Sequence, residues 1–90
     1  MPRYLVERTY PDKSDLPLNE DGQQRCQTII DNDAQDGVTW LYSYVTLDRR
    51  RSICVCDAPT PEAVRRAAQR NGLPIDRITE VRIFNPYFFW

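Results

Sequence analysis

The stretch RSICVCDAPTPEAVRRAAQRNG, residues 51–72, decides the fold. Its first part, RSICVCD, predicts a strand that returns as the hairpin partner of VTWLYSYVT (38–46), a segment rich in β-branched and aromatic residues. The rest predicts a helix, because Thr60 can cap it, Pro61 suits its first position and Gly72 suits a left-handed stop. The middle of the chain is therefore a β-hairpin followed by a helix.

Two more strands are predicted, one toward each end of the chain. RYLVERTY (3–10) mixes apolar, aromatic and β-branched residues and stops at a proline, and RITEVRIF (77–84) has a similar composition. The segment PDKSDLPLNEDG (11–22) holds two prolines, charged residues and a glycine. We expect this segment to be a surface loop.

A first helix is predicted from about Asn19 or Asp21 to near Gly37, on an apolar stripe at helical spacing. The stripe consists of Cys26, Ile29 and Ile30. The element order is then βαββαβ, and right-handed crossovers place both helices on one face of the sheet. This order predicts a single α+β domain over residues 1–90, a ferredoxin-like sandwich with a four-stranded antiparallel sheet.

Composition excludes several classes of function. The chain has 90 residues, a hydrophobic fraction of 41% and a net charge of −1, which fits one folded globule with no global field to attract nucleic acid. The third strand, RSICVCD, also lacks the glycine- and aromatic-rich signature of RNA-binding domains of this order. MPRYLVERTY has no signal-peptide core and no run is long enough to span a membrane, so we expect a cytoplasmic protein with reduced thiols.

The chain contains no histidine, which removes Ser-His and Cys-His catalytic pairs and the commonest ligand for zinc, copper and nickel. Cys54 and Cys56 should lie on one strand face about 6.5–7 Å apart, at or beyond the usual span of a disulfide. Two thiolates are also too few for a structural zinc site. Small packed thiols are the favoured interpretation, and a soft-metal or redox pair is the alternative.

Alternation along the second strand gives both sheet faces large apolar groups, and the helices can cover only one of them. It predicts one face with Val38, Trp40, Tyr42 and Tyr44, and another with Thr39, Leu41, Ser43 and Val45. We therefore expect a homodimer through the uncovered face of the sheet. The aromatic tail YFFW (87–90) should dock on its own domain or on a partner subunit.

Two acidic residues are candidates for chemistry. Glu7 and Glu80 lie on the first and last strands, which should be neighbours at the centre of the sheet. Paired carboxylates could bind a hard or borderline metal or transfer protons. The favoured alternative is that each pairs with a nearby arginine such as Arg8 or Arg82.

Four segments carry a family resemblance across almost the whole length: RYLVER (3–8), DGVTWLYSYVT (36–46), the run from CVCDAPTPEAV to RITEVR (54–82), and NPYF (85–88). They resemble a bacterial family of small ferredoxin-like proteins that is classified as a domain of unknown function and has a nickel-binding branch. The resemblance implies a cytoplasmic homodimer, with metal binding proposed for some members.

Two positions depart from the pattern of that family. The position of Tyr42 is often histidine there, and the position of Cys56 is more usually aromatic, whereas cysteine at the position of Cys54 is common. The metal site that the resemblance implies for this chain would use Glu7, Tyr42, Cys54 and Glu80, with nickel as the implied metal.

The leading hypothesis is a small dimeric ligand- or metal-binding protein without nucleic-acid or membrane contacts. A second hypothesis is a small dimeric α/β-barrel enzyme that accepts a small organic substrate between its sheet and helices. Its lid would be the proline-rich loop 11–18, and Glu7 or Tyr42 would transfer protons. A third is a non-catalytic assembly or accessory subunit that uses its aromatic face and tail.

Overall fold

The computed structural model of the protein describes residues 1–11 and 20–87, which form four strands and two helices in the predicted order. The elements are β1 (Arg3–Thr9), α1 (Glu20–Ala34), β2 (Thr39–Val45), β3 (Arg51–Asp57), α2 (Pro61–Asn71) and β4 (Arg77–Val81). The α+β ferredoxin-like βαββαβ fold is thus confirmed. Most of the predicted 11–18 lid and the last three residues of the aromatic tail lie outside the described residues.

All four strands pair antiparallel in the order β2-β3-β1-β4. The first and last strands are neighbours, as predicted, but they do not share the centre of the sheet. β1 and β3 are central, and β4 is an edge strand. The reason is the crossover pattern: the connection through α1 carries the chain past one strand position, and β3 then fills that position beside β1.

One face of the sheet packs against the helices and is called the helix face. β1 places Tyr4, Val6 and Arg8 there by strict alternation, and Tyr10 directly after the strand is buried as they are. Their partners on β3 include Cys54 and Cys56, so both cysteines lie on the same face, as predicted. The hydrophobic core lies between this face and α2 and consists of Tyr4, Val6, Val38, Cys56, Ala58, Ala63, Val64 and Ala67.

The opposite side of the sheet is called the open face, and its apolar residues are Leu5, Tyr42, Tyr44, Ile53 and Val55. The prediction that Trp40 shares a face with the two tyrosines is wrong. The register of β2 shifts between Trp40 and Tyr42, so that Leu41 is an extra residue opposite β3. Trp40 therefore faces the helices, where its Nε1 donates to Ser43 Oγ at 2.8 Å, while Tyr42 and Tyr44 face away.

The two helices contribute very differently to the core. α2 buries the four residues predicted from its spacing, Ala63, Val64, Ala67 and Ala68. The predicted stripe of α1 is not buried: Cys26 and Ile29 are half-buried and Ile30 is 45% exposed. α1 therefore covers the sheet without filling the space beneath it. Neither helix, as far as the described residues extend, is long and apolar enough to cross a membrane.

Candidate functional site

The four residues predicted as metal ligands lie on both sides of the sheet. Glu7 and Tyr42 are on the open face. Cys54 and Glu80 are on the helix face, since each pairs with a buried residue of β1. The sheet itself separates the two pairs, so a single subunit does not bring all four side chains to one metal ion.

The described residues contain no group of three or more cysteine, aspartate or glutamate side chains that could hold a metal ion. Neither Glu7 nor Glu80 forms an ion pair with another described residue, so the pairing with arginine that we expected is not formed. Imidazole is a preferred side-chain ligand of nickel in proteins, and the chain has no histidine. The donor set of one subunit therefore does not fit nickel.

The two cysteines of β3 are free thiols in different surroundings. Cys56 is 5% exposed, and burial raises its pKa from 9.0 to about 11. A thiol of that pKa stays protonated near neutral pH, which makes it a poor nucleophile and a poor metal ligand. Cys54 is half-buried, with its Sγ 3.9 Å from Ser52 Oγ. Packing against the core is the role that this geometry supports for Cys56.

A cavity of about 260 Å³ lies between the helix face of the sheet and both helices. Its volume equals roughly nine water molecules, close to the lower end of known ligand pockets. Its apolar walls come from Val6, Ile29, Val38, Val45, Val64, Ala67 and Leu73. The space exists because α1 brings no fully buried apolar side chain to the sheet and α2 offers alanines where larger residues would fill it.

Arg8 is the most unusual residue in the cavity wall. It projects from the central strand β1 toward the helices, is 7% exposed, and pairs in register with Ser52. Its Nε is buried without a hydrogen-bond partner, and it forms no ion pair with any other described residue. Buried charged groups are normally paired, because desolvation of an unpaired charge is costly. The cavity therefore contains a cationic side chain whose Nε has no acceptor among the described residues.

Other polar side chains line the same cavity, namely Asp33, Asn71, Tyr10, Ser43, Ser52 and a second arginine, the exposed Arg25. The Asp33 carboxylate accepts a hydrogen bond from Asn71 Nδ2 at 3.0 Å. Burial raises the pKa of Asp33, although this hydrogen bond and the charge of Arg8 act in the opposite direction. The hydroxyls of Tyr10 and Ser52 are 3.0 Å apart and buried. Together with Arg8, these groups give an otherwise apolar cavity a polar wall.

The cavity is not the one that the enzyme hypothesis requires. Glu7, Tyr42 and Tyr44 do not line it, because all three lie on the open face. Sequence reasoning missed Arg8 as a site residue, although the alternation in RYLVERTY already places it on the same face as Tyr4 and Val6. Asp33 was likewise not among the predicted site residues.

The open face is largely apolar, and neither of the two described helices covers it. Tyr42 is 50% exposed and Tyr44 is 64% exposed. Their rings pack edge to face, with centroids 5.6 Å apart and an interplanar angle of 88°. The half-buried Leu5 and Ile53 continue this apolar surface across the central strands, and Val55 beside them is buried. A contiguous apolar surface of this kind is typical of an interface.

Comparisons with known proteins agree on the family and the fold. A family model described as nickel responsive protein SCO4226-like matches residues 4–81. The crystal structure of SCO4226 from Streptomyces coelicolor A3(2) is similar, with a TM-score of 0.71 over 92% of this chain and 99% of that one. The two sequences are 19% identical, so this likeness shows the fold. No curated protein matches the chain.

Proposed function

The chain belongs to the nickel-responsive SCO4226-like family, and on that premise we propose that it is a small dimeric cytoplasmic binding protein, with its ligand site in the cavity between sheet and helices. Its role would lie in the response to nickel that the family description names. The observation that carries the proposal is the apolar cavity of about 260 Å³ with the unpaired Arg8 in its wall. Concave, mostly apolar pockets with a few polar groups are the usual form of small-molecule sites.

The enzyme alternative is less well supported by the geometry. The groups expected to transfer protons, Glu7 and Tyr42, are separated from the cavity by the sheet. Cys56 is held protonated by burial, and the chain has no histidine to act as a base near neutral pH. A binding role needs none of these groups.

Dimerisation through the open face is the second part of the proposal. The exposed Tyr42 and Tyr44, together with the apolar residues of β1 and β3, would lie in the centre of such an interface. Charged residues border this centre: Glu7 and Arg77 at one end, and the Arg3–Asp57 ion pair of 2.8 Å at the other. An apolar centre with a polar rim is typical of protein interfaces.

Nickel binding is a second candidate function, and it requires the dimer. Glu7 has no ion pair among the described residues and shares the open face with Tyr42. Apposed open faces would bring these residues from two subunits to one interface and so supply donors that a single subunit cannot bring together.

The cavity can be tested with a neutral probe. Cyclohexanol titrated into the protein should shift the methyl NMR signals of Val6, Val38 and Val64, which line the cavity. Val55 provides the matched control, because it is a valine on the open face. Saturable shifts confined to the cavity valines would support a ligand site between sheet and helices. If the cavity methyls respond neither to cyclohexanol nor to cyclohexanecarboxylate, or if Val55 responds equally, the proposed binding function is wrong.

Nickel is tested separately by titration calorimetry on tag-free protein. Glu7→Gln should abolish any heat of nickel binding, whereas Glu80→Gln, an equal change of charge on the other face, should leave it unchanged. An absence of heat with the unchanged protein would exclude nickel as a ligand and would leave the cavity proposal standing.

A further inference from the structure

This inference rests on the proposed function and names the class of ligand. We propose that the cavity binds a small organic monocarboxylate, with its carboxylate held by the Arg8 guanidinium and its apolar part in the space beneath the helices. The site is formed by residues of the central strands and of both helices.

The position of the carboxylate follows from the unpaired charge. Arg8 is more than nine-tenths buried, lines the cavity, and has a buried Nε with no acceptor. A guanidinium presents its N–H donors in a planar fork that matches the two oxygens of a carboxylate. A bound carboxylate would therefore satisfy a charged donor that the described residues leave without a partner.

The apolar part of the ligand follows from the remaining walls. Val6, Val38 and Val64 from three different segments face the same space, and Ile29 and Leu73 lie at its edge with the helices. A purely hydrophilic anion would leave these walls in contact with water. The volume of about 260 Å³ suits a compact ring or branched chain with one acidic group.

The charge of the ligand is limited by Asp33. Its carboxyl lines the same cavity and already accepts the hydrogen bond from Asn71. It would repel an incoming anion, and it would repel a phosphate dianion more strongly than a singly charged carboxylate, whereas the exposed Arg25 in the same lining would attract both. Burial raises the pKa of Asp33, which weakens this repulsion toward acidic pH.

A second polar contact is available beside Arg8. The hydroxyls of Tyr10 and Ser52 share two protons, and the 3.0 Å bond between them uses only one. Ser52 is the cross-strand partner of Arg8, so this pair lies beside the guanidinium. The remaining hydroxyl proton can be donated to a carboxylate oxygen, in place of the weak 3.9 Å contact between Ser52 Oγ and Cys54 Sγ.

The test compares two probes of almost the same shape by NMR titration: cyclohexanecarboxylate and cyclohexanol. We expect the unchanged protein to bind the carboxylate at least about tenfold more tightly, as hydrogen bonds to charged groups would give. Both probes should shift the cavity valines. If cyclohexanol binds but the carboxylate binds no more tightly, the carboxylate inference is wrong while the cavity function stands. If neither probe binds, the proposed function itself fails.

Variants locate the charge. Arg8→Met, which keeps an unbranched side chain, should lose about tenfold or more in carboxylate affinity and leave cyclohexanol affinity unchanged. Arg65→Met removes the same charge from the exposed side of α2 and should change neither. Equal losses for both probes, or an equal loss in Arg65→Met, would overturn the role of Arg8. If Arg8→Met does not fold, Arg8→Lys keeps the charge but not the fork, and the same comparison applies to it.

Discussion

Asn71 Nδ2 donates a hydrogen bond to Asp33 Oδ1 at 3.0 Å and thereby joins the last turn of α1 to the end of α2. The Oδ1 of Asn71 accepts a hydrogen bond from Asn32 Nδ2 at 2.8 Å, so both polar atoms of the Asn71 side chain bind residues of α1. Arg66 and Arg70 of α2 also reach the carboxylate of Asp36 beyond α1. Because α1 has little apolar contact with the sheet, these polar links hold it over the cavity.

Asp33→Asn should change how stability depends on pH. Burial raises the folded-state pKa of Asp33 above its ordinary value of 3.8. Between 3.8 and that higher folded-state pKa, the folded protein binds more protons than the unfolded chain, so stability falls as the pH rises. The variant keeps an acceptor for Asn71 and cannot ionise. Its free energy of unfolding, relative to the unchanged protein, should therefore increase across this window in urea titrations and level off above it.

Asp57→Asn should change the pH dependence of stability in the opposite direction. The hydrogen bond from Arg3 lowers the folded-state pKa of Asp57 below 3.8. The ionised Asp57 therefore contributes its full stabilisation at pH values above the unfolded-state pKa of 3.8. That stabilisation is lost as the pH falls through the lower, folded-state pKa. Urea titrations on the acid side should show the unchanged protein losing stability relative to the variant. A difference that does not vary with pH in this range would contradict the role given to the Arg3–Asp57 pair.

Gly72→Ala should destabilise the protein by about 1 kcal/mol, because the residue has a φ of 68° that β-carbon-bearing residues adopt at a cost. Beyond the adjoining backbone, no atom of the described residues lies within 4 Å of an added Cβ, so the effect measures backbone conformation and not a clash. Gly72→Asn is the control, since asparagine tolerates the left-handed region and should cost less. Equal thermal midpoints for the Gly72→Ala variant and the unchanged protein would contradict this account of the helix stop.

The fold could be predicted because local signals and alternation agree over most of the chain. Thr60 accepts a hydrogen bond from the Ala63 amide at 3.1 Å, as its position before Pro61 indicates. β1 and β3 alternate without interruption, so the shared face of Cys54 and Cys56 follows from spacing alone. These features depend on residues near one another in sequence, which is why the sequence is sufficient for them.

The features that escaped prediction depend on contacts between distant segments. A single extra residue at Leu41 reverses the faces of Trp40 and Tyr42, and no residue type in VTWLYSYVT marks that bulge. The register of β4 against β1, which separates Glu80 from Glu7, is likewise set by tertiary pairing. The cavity arises because α1 buries few apolar side chains against the sheet, and Arg8 in its wall is visible in the sequence only as one more arginine in a strand.

Cys56 should resist alkylation in the folded protein. It is 5% exposed, and its pKa of about 11 leaves little thiolate at pH 8. After brief treatment with iodoacetamide, mass spectrometry of peptides should find Cys56 unmodified, and denatured protein should carry label on all three cysteines. Cys26 and Cys54, both half-buried, serve as internal references. Labelling of Cys56 as fast as of Cys26 would mean that the helix face opens readily under α2.

Tyr44→Glu should convert the proposed dimer into a monomer. Tyr44 is 64% exposed in one subunit, so a glutamate there disturbs the fold little, but at a dimer interface it would place a charge among apolar residues without a partner. Leu47→Glu is the matched control, because Leu47 is fully exposed in the turn between β2 and β3 and lies outside the open face. Light scattering should give half the mass for Tyr44→Glu and an unchanged mass for Leu47→Glu.

A monomeric mass for the unchanged protein would rule out the dimer directly. A dimeric mass for Tyr44→Glu would place the interface elsewhere, and the apolar open face would then need another partner.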